Sequence, residues 1–318
     1  MYKNLSVGAV IPAHNEEDNI GPVVTALLSL RTDAGHRVID DLVVCDNAST
    51  DDTAQRAREA GARVAVEPSR GYGMACLTGI SALEPVDVVL FVDGDQAFDA
   101  GQSLDLLKAV ANGADLAIGS RVLGRMERGA LSLPQVAGNR VASRLVRLLW
   151  GHRITDLGPF RAIRADALRR LDMRDTSYGW TVEMQVKAIQ SQMRLVETPV
   201  DTRRRRFGKS KVGGTVRGVI GASVGILSMI FRLWVSPKSP ACISRHLTAA
   251  VRDKAAMTSL FLRSASLARS MHCSSTASRA KRSSPRPDGP LKHFVSPSGE
   301  KRRPVSKQPV RIERRGTP

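Results

Sequence analysis

The segment Val88-Val89-Leu90-Phe91-Val92-Asp93-Gly94-Asp95 constrains this chain most, because an unbroken apolar run ends abruptly in two carboxylates separated by one glycine. A run of β-branched, aliphatic and aromatic residues without polar alternation reads as a strand covered on both faces, the environment of a parallel strand in an α/β sheet. Open α/β sheets bind ligands at the carboxyl ends of such strands. Two carboxylates at that end make a hard oxygen site suited to Mg²⁺ or Mn²⁺ carrying a diphosphate. Asp-Gly-Asp is also ordinary turn chemistry, so the strand before the triplet carries the reading.

The flanking sequence repeats the theme. Residues 7–11, 41–45, 62–66 and 86–92 are apolar runs of strand length. Helical patterns lie between them: from about Asn19, from the capping stretch Ser49-Thr50-Asp51-Asp52 through Glu59, and from Gly73 to Leu83. Strands alternating with helices at this spacing predict βαβ units, hence an α/β fold with a mostly parallel central sheet and flanking helices. A helix over 104–110 and a strand over 115–118 continue the alternation. The pattern then becomes less regular, with helical periodicity returning at 141–149 and 182–189. Residues 1–235 read as one compact domain.

Charge divides the chain at the same place. Of the formal net charge of +18, residues 237–318 contribute +14. This tail, residues 236–318, is rich in Ser, Arg, Lys and Pro and soon loses hydrophobic periodicity, so it is expected to be disordered. Its basic runs carry no interleaved aromatics to stack bases, which argues against nucleic acid as the partner. Cys45, Cys76, Cys242 and Cys273 lie far apart with no CxxC pair, which disfavours a zinc site or a disulfide framework and fits a reducing, cytoplasmic setting. The start, Met1-Tyr2-Lys3-Asn4-Leu5, lacks the apolar stretch of a signal peptide. Residues 219–235 are apolar over 17 positions but include Arg232, short of the roughly 20 that span a bilayer. They read as a packed or interfacial helix, with Arg203-Arg204-Arg205-Arg206 nearby to meet anionic headgroups.

Several further segments fall in order. They are Val10-Ile11-Pro12-Ala13-His14-Asn15-Glu16-Glu17, Val44-Cys45-Asp46-Asn47-Ala48-Ser49-Thr50-Asp51, Val92-Asp93-Gly94-Asp95 and Ile118-Gly119-Ser120-Arg121. Asp156-Leu157-Gly158-Pro159-Phe160-Arg161, Tyr178-Gly179-Trp180-Thr181-Val182-Glu183 and Arg206-Phe207-Gly208-Lys209-Ser210-Lys211 follow. Together they resemble a family 2 glycosyltransferase of the GT-A fold, in particular the dolichyl- and polyprenyl-phosphate sugar synthases. The similarity covers about residues 5–230 and omits the tail and the polytopic membrane region that some relatives carry.

The resemblance implies roles. Pro12, Ala13, Glu16 and Asp46 would line the pocket for the base and ribose of a nucleoside diphosphate sugar, a UDP- or GDP-hexose. Asp93 and Asp95 would hold Mg²⁺ or Mn²⁺, Asp95 being the direct ligand. Arg121 would face phosphate, which a guanidinium fork matches. Arg206 and Lys211 would serve a donor or acceptor phosphate. Glu183 would stand near the acceptor, as a base toward a hydroxyl or, toward an already ionised phosphate, in orientation alone. The implied acceptor is a polyprenyl phosphate at the cytoplasmic face of the membrane.

Residue by residue, simpler readings stand beside these. Asp46 equally caps the next helix, Trp180 equally packs in a core, and Gly71 and Gly73 equally make a tight turn. The chain also departs from the lipid-linked synthases, which often carry Asp-x-Asp-x-Gln. Here Gln96 directly follows Asp95 and Ala97 takes the Gln position, so Gln96 is the remaining candidate for a third protein ligand. Two other functions remain: a soluble transferase acting on a small phosphorylated or hydroxyl acceptor, and a non-catalytic polyanion-binding protein working through its tail.

Overall fold

The computed structural model describes residues 1–208 and 216–236. The basic tail and the positions Lys209, Ser210 and Lys211 lie outside the described residues.

Three apolar runs build the centre of the sheet. β1 (Val7–Ala13) pairs in parallel with β2 (Asp41–Asn47) on one side and with β4 (Val88–Phe91) on the other; β2 in turn pairs in parallel with β3 (Arg63–Glu67). All four residues of β4 are buried. Connecting helices cover both faces, as parallel strands require. α1 (Glu17–Leu28) carries Glu17 and Asp18 in its first turn, favourably placed against the helix dipole. It buries Ile20, Val24 and Leu27 against one face of the sheet, together with Leu106, Leu107 and Val110 of α4 (Ser103–Ala111). α2 (Thr53–Glu59) joins β2 to β3. α3 (Tyr72–Ala82) lies on the opposite face, where a Cβ at Gly79 would come within 2.5 Å of Val10 Cγ1, so glycine sets how closely this helix approaches β1.

The second half departs from simple alternation. The seven strands run in the order β3-β2-β1-β4-β6-β5-β7. β6 (Arg161–Arg164) inserts antiparallel between β4 and β5 (Leu116–Ser120), whereas β7 (Leu195–Pro199) adds in parallel beyond β5. The sheet is mostly parallel, as the alternation predicts. β6 is not evident in the sequence because it has four residues, two of them arginines. Arg161 is fully buried, and its guanidinium donates to the carbonyls of Thr181 and Gly158.

α5 (Leu133–Trp150) begins at a capping box in which Ser132 N–H donates to Gln135 Oε1 at 2.9 Å, and it ends at Gly151 in the left-handed region. α6 (Ala165–Leu171) and α7 (Trp180–Gln190) cover the sheet face shared with α3. α8 (Val216–Val235) packs Met229, Ile230 and Leu233 against Val146 of α5 and Val182 and Val186 of α7. It is therefore a packed amphipathic helix, as its length and Arg232 imply. Its 218–235 stretch is nevertheless long and apolar enough by composition to cross a membrane.

Candidate active site

The strand order reverses between β1 and β4, and the crevice beyond their carboxyl ends is the expected ligand site of such a sheet. An open cleft of about 570 Å³ lies there. The β1–α1 loop supplies Pro12, Ala13, His14 and Glu16, and the end of β2 supplies Asn47. Asp93, Gly94 and Asp95 follow β4, Arg121 follows β5, and Arg205 arrives from the segment after β7. Asn15, Ala48 and Gln96, in the loops after β1, β2 and β4, all adopt positive φ. Such conformations cost energy and persist where surrounding structure enforces them; here they cluster at the strand ends that form the cleft.

The acidic pair is electrostatically tense. Asp93 Oδ1 accepts from Tyr72 Oη at 3.2 Å, and Asp95 Oδ1 accepts from Ala97 N at 3.1 Å. Burial, reinforced by the charge of Asp95, pushes the Asp93 carboxyl up to about 7. Two hard oxygen donors side by side, the buried Asp93 raised first by burial and then by the charge of Asp95, fit a divalent cation. No group of three or more Asp, Glu, His or Cys able to hold a metal occurs among the described residues, so further ligands would come from a bound diphosphate and water. The amide nitrogen of Gln96 is turned to Asn19, donating to Asn19 O and Oδ1.

The shift has a consequence for pH. Between the unfolded carboxyl value of about 4 and the folded value of about 7, the metal-free folded protein binds the extra proton, so its stability falls as pH rises through that window. A cation held by Asp93 and Asp95 would displace this proton. Mn²⁺ affinity is therefore expected to rise with pH up to about 7 and then level off, with one proton released per ion below pH 7. Calorimetry in buffers of different ionisation enthalpy reads the proton count, and Asp93→Asn should flatten the profile.

Arg121 is fixed from behind. Asp156, fully buried, accepts from Arg121 N and Nε at 2.8 Å and from Nη2 at 2.7 Å. This bidentate clamp occupies one edge of the guanidinium, while Nη1 makes no hydrogen bond among the described residues and is available to a ligand oxygen in the cleft. Asp156 therefore orients Arg121 rather than lining the cleft. Pro159 lines it instead, while Phe160 lies in the core against the cleft residue Phe98.

Three expectations need correction or relocation. Glu183 does not reach the cleft: it is 2 % exposed, and its carboxylate accepts from Arg174 N and Asp175 N and pairs with Lys187 Nζ at 2.6 Å. It braces the loop that carries Ser177 and Tyr178 into the cleft wall. Asp46 sits opposite Ala13 in the β1–β2 register, outside the cleft lining, and its carboxylate accepts from Ser49 N at 3.3 Å. The next residue, Asn47, faces the cleft. Arg206 is exposed over the Phe207 ring, and its neighbour Arg205 enters the site. Of the two readings of Trp180 the structure takes the core one, with the ring edge-on to Phe91 at 6.3 Å.

Glycine has a protein partner at Gly73: a Cβ there would lie 2.1 Å from Asp175 O, so the residue admits the 175–176 backbone. The sequence does not mark His14, Asn47, Tyr72 and Arg205 as site residues. His14 lies inside the first motif, and its Nδ1 is buried with no hydrogen-bond partner among the described residues. Tyr72 lies within the Arg70-Gly71-Tyr72-Gly73 segment, and only proximity to a motif marks either residue.

Comparison with known proteins agrees with this geometry. The family model described as Glycosyl transferase family 2 matches residues 9–172, more than half of the chain. The chain belongs to glycosyl transferase family 2. An uncharacterised glycosyltransferase of Mycobacterium tuberculosis is 37% identical over 227 residues, covering 71% of this chain and 98% of the relative. An undecaprenyl-phosphate mannosyltransferase of Micrococcus luteus is 30% identical over 237 residues, covering 69% and 91%. Among solved structures, glucosyl-3-phosphoglycerate synthase of M. tuberculosis in complex with Mn²⁺, UDP and phosphoglyceric acid superposes with a TM-score of 0.57 at 21% identity, covering 74% of this chain and 81% of that one. This family 2 transferase has the GT-A fold, and it is a glycosyltransferase.

Proposed function

We propose that this family 2 transferase moves a hexose from a UDP- or GDP-sugar to a polyprenyl phosphate at the cytoplasmic face of the membrane, with inversion. The observation that carries the acceptor is the surface beside the cleft. Tyr178, a cleft residue, packs on Gly225 of α8, where an added Cβ would lie 3.4 Å from Tyr178 Cβ. The outer face of α8 exposes Ile220, Val224, Leu227, Phe231 and Val235, a single stripe at helical spacing. α5, packed beside α8, exposes Leu133 at 85% and Leu148 at 72%, with Arg140, Arg144 and Arg147 also exposed. An apolar patch edged by arginines fits the headgroup boundary of an anionic bilayer. A prenyl chain would run along such a surface while its phosphate entered the cleft.

In this reading Asp93 and Asp95 hold Mg²⁺ or Mn²⁺, while Pro12, Ala13, His14, Glu16 and Asn47 receive the base and ribose, with Asp46 supporting them. A bound cation would neutralise the diphosphate and stabilise it as it leaves. Arg121, held rigid by Asp156, offers Nη1 to a phosphate oxygen without reorganising. An acceptor phosphate oxygen attacks the anomeric carbon, the bond from that carbon to the diphosphate breaks, and the electron pair departs with the nucleoside diphosphate. No proton need be removed from an ionised phosphate, which agrees with Glu183 being occupied elsewhere. The barrier is lowered mainly by positioning and charge stabilisation.

The test is Mn²⁺-dependent release of nucleoside diphosphate from a panel of UDP- and GDP-sugars, with polyprenyl phosphate or 3-phosphoglycerate as acceptor. Stimulation by the lipid is expected; stimulation by the soluble acceptor alone would overturn the acceptor assignment. A second expectation concerns the surface. Leu227→Asp and Phe231→Asp should each weaken sedimentation with anionic phospholipid vesicles by about tenfold, near the depth-dependent cost of placing charge at an apolar boundary, while leaving the melting temperature close to that of the wild type because both positions are exposed.

A further inference from the structure

Arg205 occupies an unexpected position for a residue of a donor site. Its guanidinium is paired with Glu16 through Nη2, and its Nε lies 3.9 Å from Asp95 Oδ2. The side chain is only 13% exposed and Glu16 8%. The segment that delivers it is anchored on both sides: Arg203 N donates to Ala97 O at 2.9 Å, just beyond the acidic pair, and Phe207 O accepts from Asn19 Nδ2 at 3.2 Å. The same Asn19 amide donates to Glu16 Oε2 at 3.0 Å, so α1, the acidic loop and the 203–207 segment close around one cationic group.

A guanidinium this close to Asp95 and a dication on Asp95 repel each other in a partly dry site. Both Asp95 and Glu16 are needed for donor chemistry in the function proposed above, on which this inference rests, yet both carboxylates face Arg205. A diphosphate is a stronger partner for a guanidinium than a single carboxylate, because it offers a fork of charged oxygens.

We propose that Arg205, held by Glu16, is a resident counter-cation that takes the place of the metal at Asp95, and that it transfers to the donor diphosphate when nucleotide and metal arrive together. Metal and nucleotide binding are then strongly coupled. Each raises the affinity of the other by the same factor, because the displacement of Arg205 is common to both. Asp95 keeps a positive partner between turnovers, and the cation is recruited with the diphosphate rather than before it.

The experiment is titration of the full chain with Mn²⁺, followed by calorimetry and by the electron paramagnetic resonance signal of free Mn²⁺, with and without UDP or GDP. In the wild type, the better-binding nucleotide is expected to raise Mn²⁺ affinity by about tenfold or more. Arg205→Gln should raise Mn²⁺ affinity in the absence of nucleotide by a similar factor, reduce the enhancement by nucleotide, and weaken nucleotide binding at saturating Mn²⁺. Arg205→Lys, which keeps the charge, should retain tight nucleotide-free discrimination against Mn²⁺. Equal or weaker nucleotide-free Mn²⁺ binding by Arg205→Gln overturns the proposal while leaving the cation site intact. Absence of coupling in the wild type overturns it without any variant. Failure of the wild type to bind Mn²⁺ even with either nucleotide removes the cation site itself, and the role of Arg205 with it.

Discussion

Replacing Asp95 by Asn is expected to lower Mn²⁺-dependent donor turnover by roughly 10²–10³-fold, the loss typical when a preorganised charge-stabilising group is removed, with no loss of thermal stability. The two halves of this expectation have separate causes. Asp95 Oδ1 accepts from Ala97 N at 3.1 Å, and an asparagine carbonyl can accept the same bond, so the loop after β4 keeps its shape. The substitution also removes the negative charge that helps hold the Asp93 carboxyl at about 7, which relieves repulsion in the metal-free protein. Turnover measured as nucleoside diphosphate release, alongside thermal unfolding in chelator, separates these effects. Undiminished release would remove Asp95 from the mechanism, and a fall in melting temperature would show that its role is structural.

The second large effect is at Glu183, and it concerns stability. Glu183→Ala leaves Lys187 without the carboxylate it meets at 2.6 Å, in a pair whose side chains are 9% and 3% exposed. Removing one partner of a buried pair costs about 3–5 kcal/mol, which lowers the melting temperature of a domain of this size by roughly 10 °C. Arg174 N and Asp175 N lose their acceptor at the same time, so the loop bearing Ser177 and Tyr178 loosens. The kinetic signature should be a raised KM for the acceptor with kcat retained well below the melting temperature. A general base would behave otherwise: Glu183→Gln would lose kcat and the acidic limb of the pH profile while melting near the wild type. That result would return Glu183 to the chemistry.

What was legible in the chain came from patterns that depend on near neighbours. The runs that became β1, β2 and β4 are continuous and apolar, so burial on both faces and parallel pairing follow from composition alone. The acidic pair is legible for the same reason, because a strand must end where Asp93-Gly94-Asp95 begins, and parallel topology brings that end to the crevice. Arg121 is likewise carried by a strand end, that of β5.

Other features depend on partners that only folding brings together. β6 is a strand only because β4 and β5 flank it, and Arg161 can be buried within it because the carbonyls of Gly158 and Thr181 accept from its guanidinium. Glu183 looks like an acid beside an acceptor until Lys187 and the backbone of Arg174 and Asp175 surround its carboxylate. Arg205 and Arg206 are chemically identical neighbours in one basic run. Local sequence cannot rank them, because which one turns inward is set by anchors at Ala97 and Asn19, more than a hundred residues earlier. The sequence by itself determined the parallel strands at the centre of the sheet, their ligand-binding edge and the carboxylates on it, since these rest on strand periodicity and local turn chemistry. Only the tertiary structure decided which charged groups face that edge and which are held by one another, since a charge is assigned by the partners that folding brings within reach.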